Sequence, residues 1–209
     1  MIRNISIAVS CLLLGACAVG NKHEYSGPAP DVTIPSSNSV AVGVHDQRSY
    51  VVSGNKTGSF VGLSRGGFGN TFDVTTASGK PLADDFRATI AQVFKRNGAS
   101  VKEIEIKPTE SGSEARQALV KLGQARSLLL TLTEWKSDTY MVTLLHYDIR
   151  LAVFDSAGKP LGEQALQGTD SLGSSAINPP GHARAAIPPA YKKKLEELLT
   201  SAEIQQALR

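Results

Sequence analysis

The pentapeptide Gly62-Leu63-Ser64-Arg65-Gly66 fits G-x-S-x-G, the strained turn on which a serine hydrolase exposes its nucleophile between a buried strand and a helix. The residues after it, Arg65-Gly66-Gly67-Phe68-Gly69-Asn70, oppose the helix half of that arrangement, because each interior glycine costs a helix about 1 kcal/mol. A hydrolase of that fold also needs a larger, doubly wound sheet carrying its acid and histidine. The motif therefore reads as a glycine-rich turn or hairpin. The same glycines lack the Lys-Ser/Thr of a P-loop and the strand–helix setting of a dinucleotide site. His23, His45, His146 and His182 form no i, i+4 pair, and both cysteines, Cys11 and Cys17, precede the folded part. No metal site and no cofactor are expected.

Four other groups could bind. Asp46 and Arg48 follow the first expected strand at its carboxyl end, where open α/β sheets bind ligands, although the two would equally suit an ion pair. His146, Asp148 and Arg150 share one face of a strand by period two and could hold an anion or a glycan, or form its solvated side. Phe68 lies with Phe60 and Phe72 in a glycine-rich excursion over residues 49–79, long for a connection, so the rings suit either a partner surface or a hairpin that completes the core. Lys192-Lys193-Lys194 could touch anionic surfaces, but Glu196 and Glu197 follow at helical pairing distance and favour a solvated face.

The elements that must position these residues follow from pattern. Residues 40–44 read as a strand. Short β-like pieces are expected at 50–52, 59–63 and 71–75. A helix opens at Pro81, with Leu82, Phe86, Ile90, Val93 and Phe94 on one face, and stops at Gly98. A strand at 101–106 precedes the capping box Ser111-x-x-Glu114 and its short helix. Strands at 127–135, 140–155 and 161–169 form an antiparallel meander, and a loop at 170–189 with two Pro-Pro pairs leads to helices at 190–200 and 201–208. The sum is a two-layer α+β domain: one mixed sheet of about five strands with helices on one face.

The chain has 209 residues, 41% hydrophobic and 20% charged, a globular composition for one domain. Its formal charge of +3 is too small for nucleic-acid binding by charge alone. At the start, Arg3 precedes an apolar run over residues 5–14 and then Leu14-Gly15-Ala16-Cys17. That layout is a secretory signal peptide, since crossing a bilayer takes roughly 20 apolar residues. Its last four residues resemble the bacterial lipobox, which implies cleavage before Cys17 and acylation of that residue. Ala18 stands where an Asp usually retains Gram-negative lipoproteins in the inner membrane, so the periplasmic face of the outer membrane is expected. The organisation read is a signal peptide at 1–16, a lipidated N-terminus and flexible tether at 17–39, and one domain at 40–209. As a coil the tether spans on the order of 25 Å, enough for the domain to float free of the lipid.

The lipobox, the strand ending in Asp46-Gln47-Arg48, the helix with Phe86, Val93 and Gly98, and the segment 125–155 followed by Gly158-Lys159 together resemble the YajG-like family of small bacterial lipoproteins. The resemblance implies an outer-membrane lipoprotein without catalytic residues to carry over. The expected function is a non-enzymatic envelope lipoprotein, anchored through Cys17, that binds a protein or glycan of the envelope. An accessory subunit of an envelope transport or assembly complex is the alternative, and a periplasmic hydrolase the third reading.

Overall fold

The structure is a computed structural model that describes residues 20–27, 29–35 and 39–209. The signal peptide and Cys17 lie outside the described residues. Eight strands form one curled sheet of mixed orientation, more than the five expected, with five helices among the described residues. In chain order these are β1 (Lys22–His23), β2 (Ser39–Asp46), α1 (Ser49–Val52), β3 (Phe60–Arg65), β4 (Thr71–Thr76), α2 (Leu82–Arg96), β5 (Ser100–Glu105) and α3 (Gly112–Val120). They are followed by β6 (Arg126–Thr139), β7 (Val142–Asp155), β8 (Pro160–Ser174), α4 (Pro179–Thr200) and α5 (Ala202–Ala207).

The long strand β6 organises the sheet. Along one edge it pairs with β7 over its whole length, and β7 pairs with β8, giving the expected antiparallel meander. Along its other edge the partner changes. The first half of β6 pairs in parallel with β2, up to Asp46↔Leu132, and its last residues pair in parallel with β3, from Gly62↔Ser137 to Ser64↔Thr139. Between them lies a register shift at Leu132/Glu134. The sheet forks there: β5 extends the β2 branch, while β4 and β1 extend the β3 branch. The excursion at 49–79 is thus mostly a β3–β4 hairpin built into the sheet, and residues 50–52, expected to be β-like, form helix α1 instead.

Alternation on the strands makes two cores. Val40, Val42 and Val44 of β2, Leu128, Leu130 and Leu132 of β6, and Leu145 to Val153 at every second position of β7 face α2, α4 and α5. Ala41, Leu129 and Phe154 point the other way, against Ala115 and Leu119 of α3. Helices therefore cover both faces, not one, because β2 is apolar on both sides and needs cover on each. The capping box at Ser111 opens α3, and Gly98, at φ +84°, ends α2 as its sequence predicts.

Two expected boundaries move. Helix α4 begins at Pro179 and runs through Pro188 and Pro189, where a loop was expected. An interior proline usually costs a helix about 3 kcal/mol. Here the two prolines strip partners from the carbonyls of Arg184 and Ala185, both exposed to water, while Ile187 and Tyr191 are buried beside them. The tether is also shorter than read. Tyr25, Ala29, Val32 and Ile34 are buried, β1 joins β4, and Asn97 binds this segment by donating to the Val32 carbonyl and accepting from the Ile34 amide. The apolar residues scattered through 20–35 are core residues, so the domain does not float on this segment.

Candidate functional site

Asp46 and Arg48 sit at the fork. Arg48 is fully buried and grips the Asp46 carboxylate through two nitrogens, at 2.8 and 2.7 Å. Its remaining N–H groups donate to the carbonyls of Phe60 in β3, of Gly58 just before it, and of Trp135 at the junction on β6. The single hydroxyl proton of Tyr50 is shared between Glu134 Oε1, at 2.6 Å, and the Trp135 carbonyl, at 3.2 Å. Trp135 lies where β6 exchanges β2 for β3 along this edge, and the guanidinium supplies a donor to its carbonyl there. Burial alone would lower the affinity of Arg48 for its proton, but Asp46 more than offsets this and holds the guanidinium charged. The end of β2 is therefore not the binding site expected of it: Tyr50, Gly58, Phe60 and Trp135 enclose Arg48, and with both residues buried neither can meet a partner.

His146, Asp148 and Arg150 do share the outward face of β7, as their spacing predicts. His146 meets Thr169 on β8 at 3.0 Å, and the half-exposed Arg150 approaches Glu163 at 3.3 Å. Lys136 and Glu134 of β6 stand opposite His146 and Asp148. The face is an open lattice of alternating charge. The lysine run divides. Lys192 and Lys193 reach Glu196 and Glu197 along the helix, but Lys194 is buried, held by Tyr147, Asp170 and Glu197. Burial opposes its charge; those three partners prevail and raise its pKa.

Ser64 is an interior residue of β3, buried, with no hydrogen-bond partner for its hydroxyl. No helix follows it, so the elbow reading fails on geometry. A different serine meets a histidine: His23 Nε2 lies 3.0 Å from Ser137 Oγ, a pairing across 114 residues that no sequence spacing signals. Both side chains are buried, Nδ1 of His23 has no partner to orient the ring, and burial lowers the His23 pKa to about 4. A neutral imidazole walled off from solvent locks β1 to the fork branch and has no access to a substrate. Among the described residues no group of three or more His, Cys, Asp or Glu is placed to hold a metal ion.

Phe68 occupies the apex of the β3–β4 turn and is wholly exposed, at 102%. The turn is closed by bonds between Gly66 and Asn70 and between Gly69 and Gly66, with Gly69 at φ +82°. Phe60, in contrast, is core, against the edge of Tyr50. Two further loops end beside the turn: the β6–β7 turn with Tyr140 and Met141, and the β8–α4 loop with Ile177, exposed at 98%. Together they border an open groove of about 630 Å³, lined by Gly66, Gly67, Tyr140, Met141, Ile177 and Pro179. Arg65 beside it is neutralised by Asp138 through two hydrogen bonds, and that contact holds the Asp138 carboxyl below its usual range. This apolar tip contains Phe68, which sequence singles out, and Ile177, Tyr140 and Met141, which it does not. The signal that could have found Ile177 is a large apolar residue alone in a polar loop, just before Asn178-Pro179-Pro180.

No known protein family and no curated protein matches the sequence. Solved structures match it by shape at low sequence identity. The chain is similar to protein XCC0632 from Xanthomonas campestris, of family DUF330, at 13% identity and a TM-score of 0.54, over 90% of this chain and 94% of that one. It is also similar to lipoprotein GNA1162 from Neisseria meningitidis, at 15% identity and a TM-score of 0.31 over 76% and 99% of the two chains. PelC from Paraburkholderia phytofirmans, a dodecamer, matches at 14% identity and a TM-score of 0.35 over 79% and 91%. The first of these establishes a shared fold. The likeness to YajG-like lipoproteins stays one of short motifs.

Proposed function

We propose that the protein is a non-enzymatic envelope lipoprotein, held by an acylated Cys17 at the periplasmic face of the outer membrane, where its domain binds another envelope component. The observation that carries this reading is the tip: large apolar side chains from three separate loops are exposed together, a surface that is stabilised when something covers it. No helix among the described residues is long and apolar enough to cross a membrane. The attachment proposed rests on the lipobox sequence Leu14-Gly15-Ala16-Cys17. The polar face of His146, Asp148 and Arg150 offers a second surface for a protein or glycan. One feature favours the accessory-subunit alternative: β8 is a 15-residue edge strand whose only strand partner among the described residues is β7, able to accept a partner strand along the part of its edge that His182 and Glu203 leave open. Mass analysis of the mature chain tests the anchor. A first residue Cys17 carrying acyl chains is expected, with Cys17→Ser leaving an uncleaved or soluble form; an unmodified residue 17 in a chain that retains residues 1–16 would contradict it.

A further inference from the structure

We propose that the apolar tip is a bilayer-docking surface, with Phe68, Ile177 and the turn at 140–142 seated on the lipid leaflet that holds Cys17. The inference rests on the anchored reading above. Five of the seven large hydrophobic side chains exposed among the described residues gather there: Phe68, Tyr140, Met141, Val142 and Ile177. The one charged residue that lines the groove, Arg65, is paired with Asp138 at 2.6 Å. An uncharged apolar rim with a tyrosine suits the interfacial zone of a membrane, where amphipathic rings settle at headgroup level.

Topology selects lipid as the occupant. β1 runs parallel to β4, with Lys22 beside Thr75, and the Asn21 carbonyl accepts from the Thr75 amide. Val74 is level with Gly62, and Gly62 with Ser137. Ser137 stands two residues from Thr139, at the tip end of β6, and eleven from Arg126 at its other end. At roughly 3.3 Å per residue, those separations are about 7 Å and about 36 Å. Three peptide steps lead from Gly20 to Cys17, which cannot span more than about 11 Å by any path. An acylated Cys17 therefore lies within reach of the tip and far short of the β7–β8 turn at the opposite end. With residues 20–27 and 29–35 docked on the domain, the anchor has little slack, and the end of the molecule drawn to the bilayer is the end that bears the exposed hydrophobes.

The test uses the acylated full chain reconstituted in phosphatidylethanolamine–phosphatidylglycerol vesicles. An environment-sensitive fluorophore is attached to a single thiol in Phe68→Cys, Ile177→Cys or Ala157→Cys, the last an exposed position in the β7–β8 turn. Quenching by nitroxide-bearing lipid should be several-fold stronger at positions 68 and 177 than at 157. Equal quenching at all three positions overturns the docking and leaves the anchored reading standing, with a protein crosslink at position 68 then assigning the tip to a protein partner. A wild-type mature chain that itself takes the fluorophore at Cys17 overturns both.

Discussion

The fork and the tip invert the ordinary placement of residue types. At the fork, Asp46 and Arg48 are almost wholly withdrawn from water; at the tip, Phe68 and Ile177 are almost wholly in it. The buried charge has a complete internal explanation: a guanidinium with five donors meets one carboxylate and the carbonyls of Gly58, Phe60 and Trp135, the last lying where β6 changes partners. The two exposed apolar side chains have none, since no contact within the domain requires them. Conspicuous residue type thus points equally to both regions, and only the second has unmet chemistry left for a partner.

The comparison breaks most visibly at Arg48. Arg48→Met leaves the Asp46 carboxylate buried without its partner, and a loss of about 3–5 kcal/mol in chemical denaturation is expected. Adding Asp46→Asn should recover part of that loss, because the two residues act as one unit. Full retention of stability in Arg48→Met would remove the fork from the structural side of the comparison.

Next comes pH. His23 has a folded-state pKa of about 4 against an ordinary 6.5, so between these values the unfolded chain binds more protons than the folded one. The stability this group contributes is complete above pH 6.5 and is lost as pH falls toward 4, about 3 kcal/mol in all. A denaturation series should show that decline, and His23→Asn should flatten it.

Gly62→Ala sharpens the geometry of the β3 branch. A methyl group there would lie 2.6 Å from the Ser137 carbonyl oxygen and closer still to its hydroxyl, and strand β3 would have to move. A loss of about 1–3 kcal/mol is expected, read as a lower Tm. The smallest effect belongs to Ser64→Ala, within about 0.5 kcal/mol of wild type, since the buried hydroxyl has no partner to lose. A fluorophosphonate probe should label neither form; labelling of the wild type alone would restore the hydrolase reading.

Sequence pattern reveals the elements whose instructions are local. The apolar face of α2, the Gly98 stop, the Ser111 box and the alternation of β7 are all legible because each depends on residues within a few turns or one strand. The fork is not legible. Placing the β3–β4 hairpin beside β6 requires the pairing of Gly62 with Ser137, and docking residues 20–35 requires Tyr25 to meet Trp135, whose indole donates to its hydroxyl at 3.1 Å. Isolated apolar residues in a Pro- and Ser-rich stretch carry no period from which to read that contact. The candidate site divides the same way: Phe68 stands out among glycines, whereas Tyr140 and Met141 read as the start of a strand, and only the folded chain puts them beside Ile177.

The central distinction, fork as structure and tip as surface, is tested most directly by Phe68→Ala in intact cells. Crosslinks from the domain to envelope components, lipid or protein, are measured alongside the thermal stability of the purified chain. Weakened crosslinks with an almost unchanged Tm are expected, because a side chain exposed at 102% has no packing to lose. A large fall in Tm, with crosslinks preserved per folded molecule, would contradict the distinction and return Phe68 to the core.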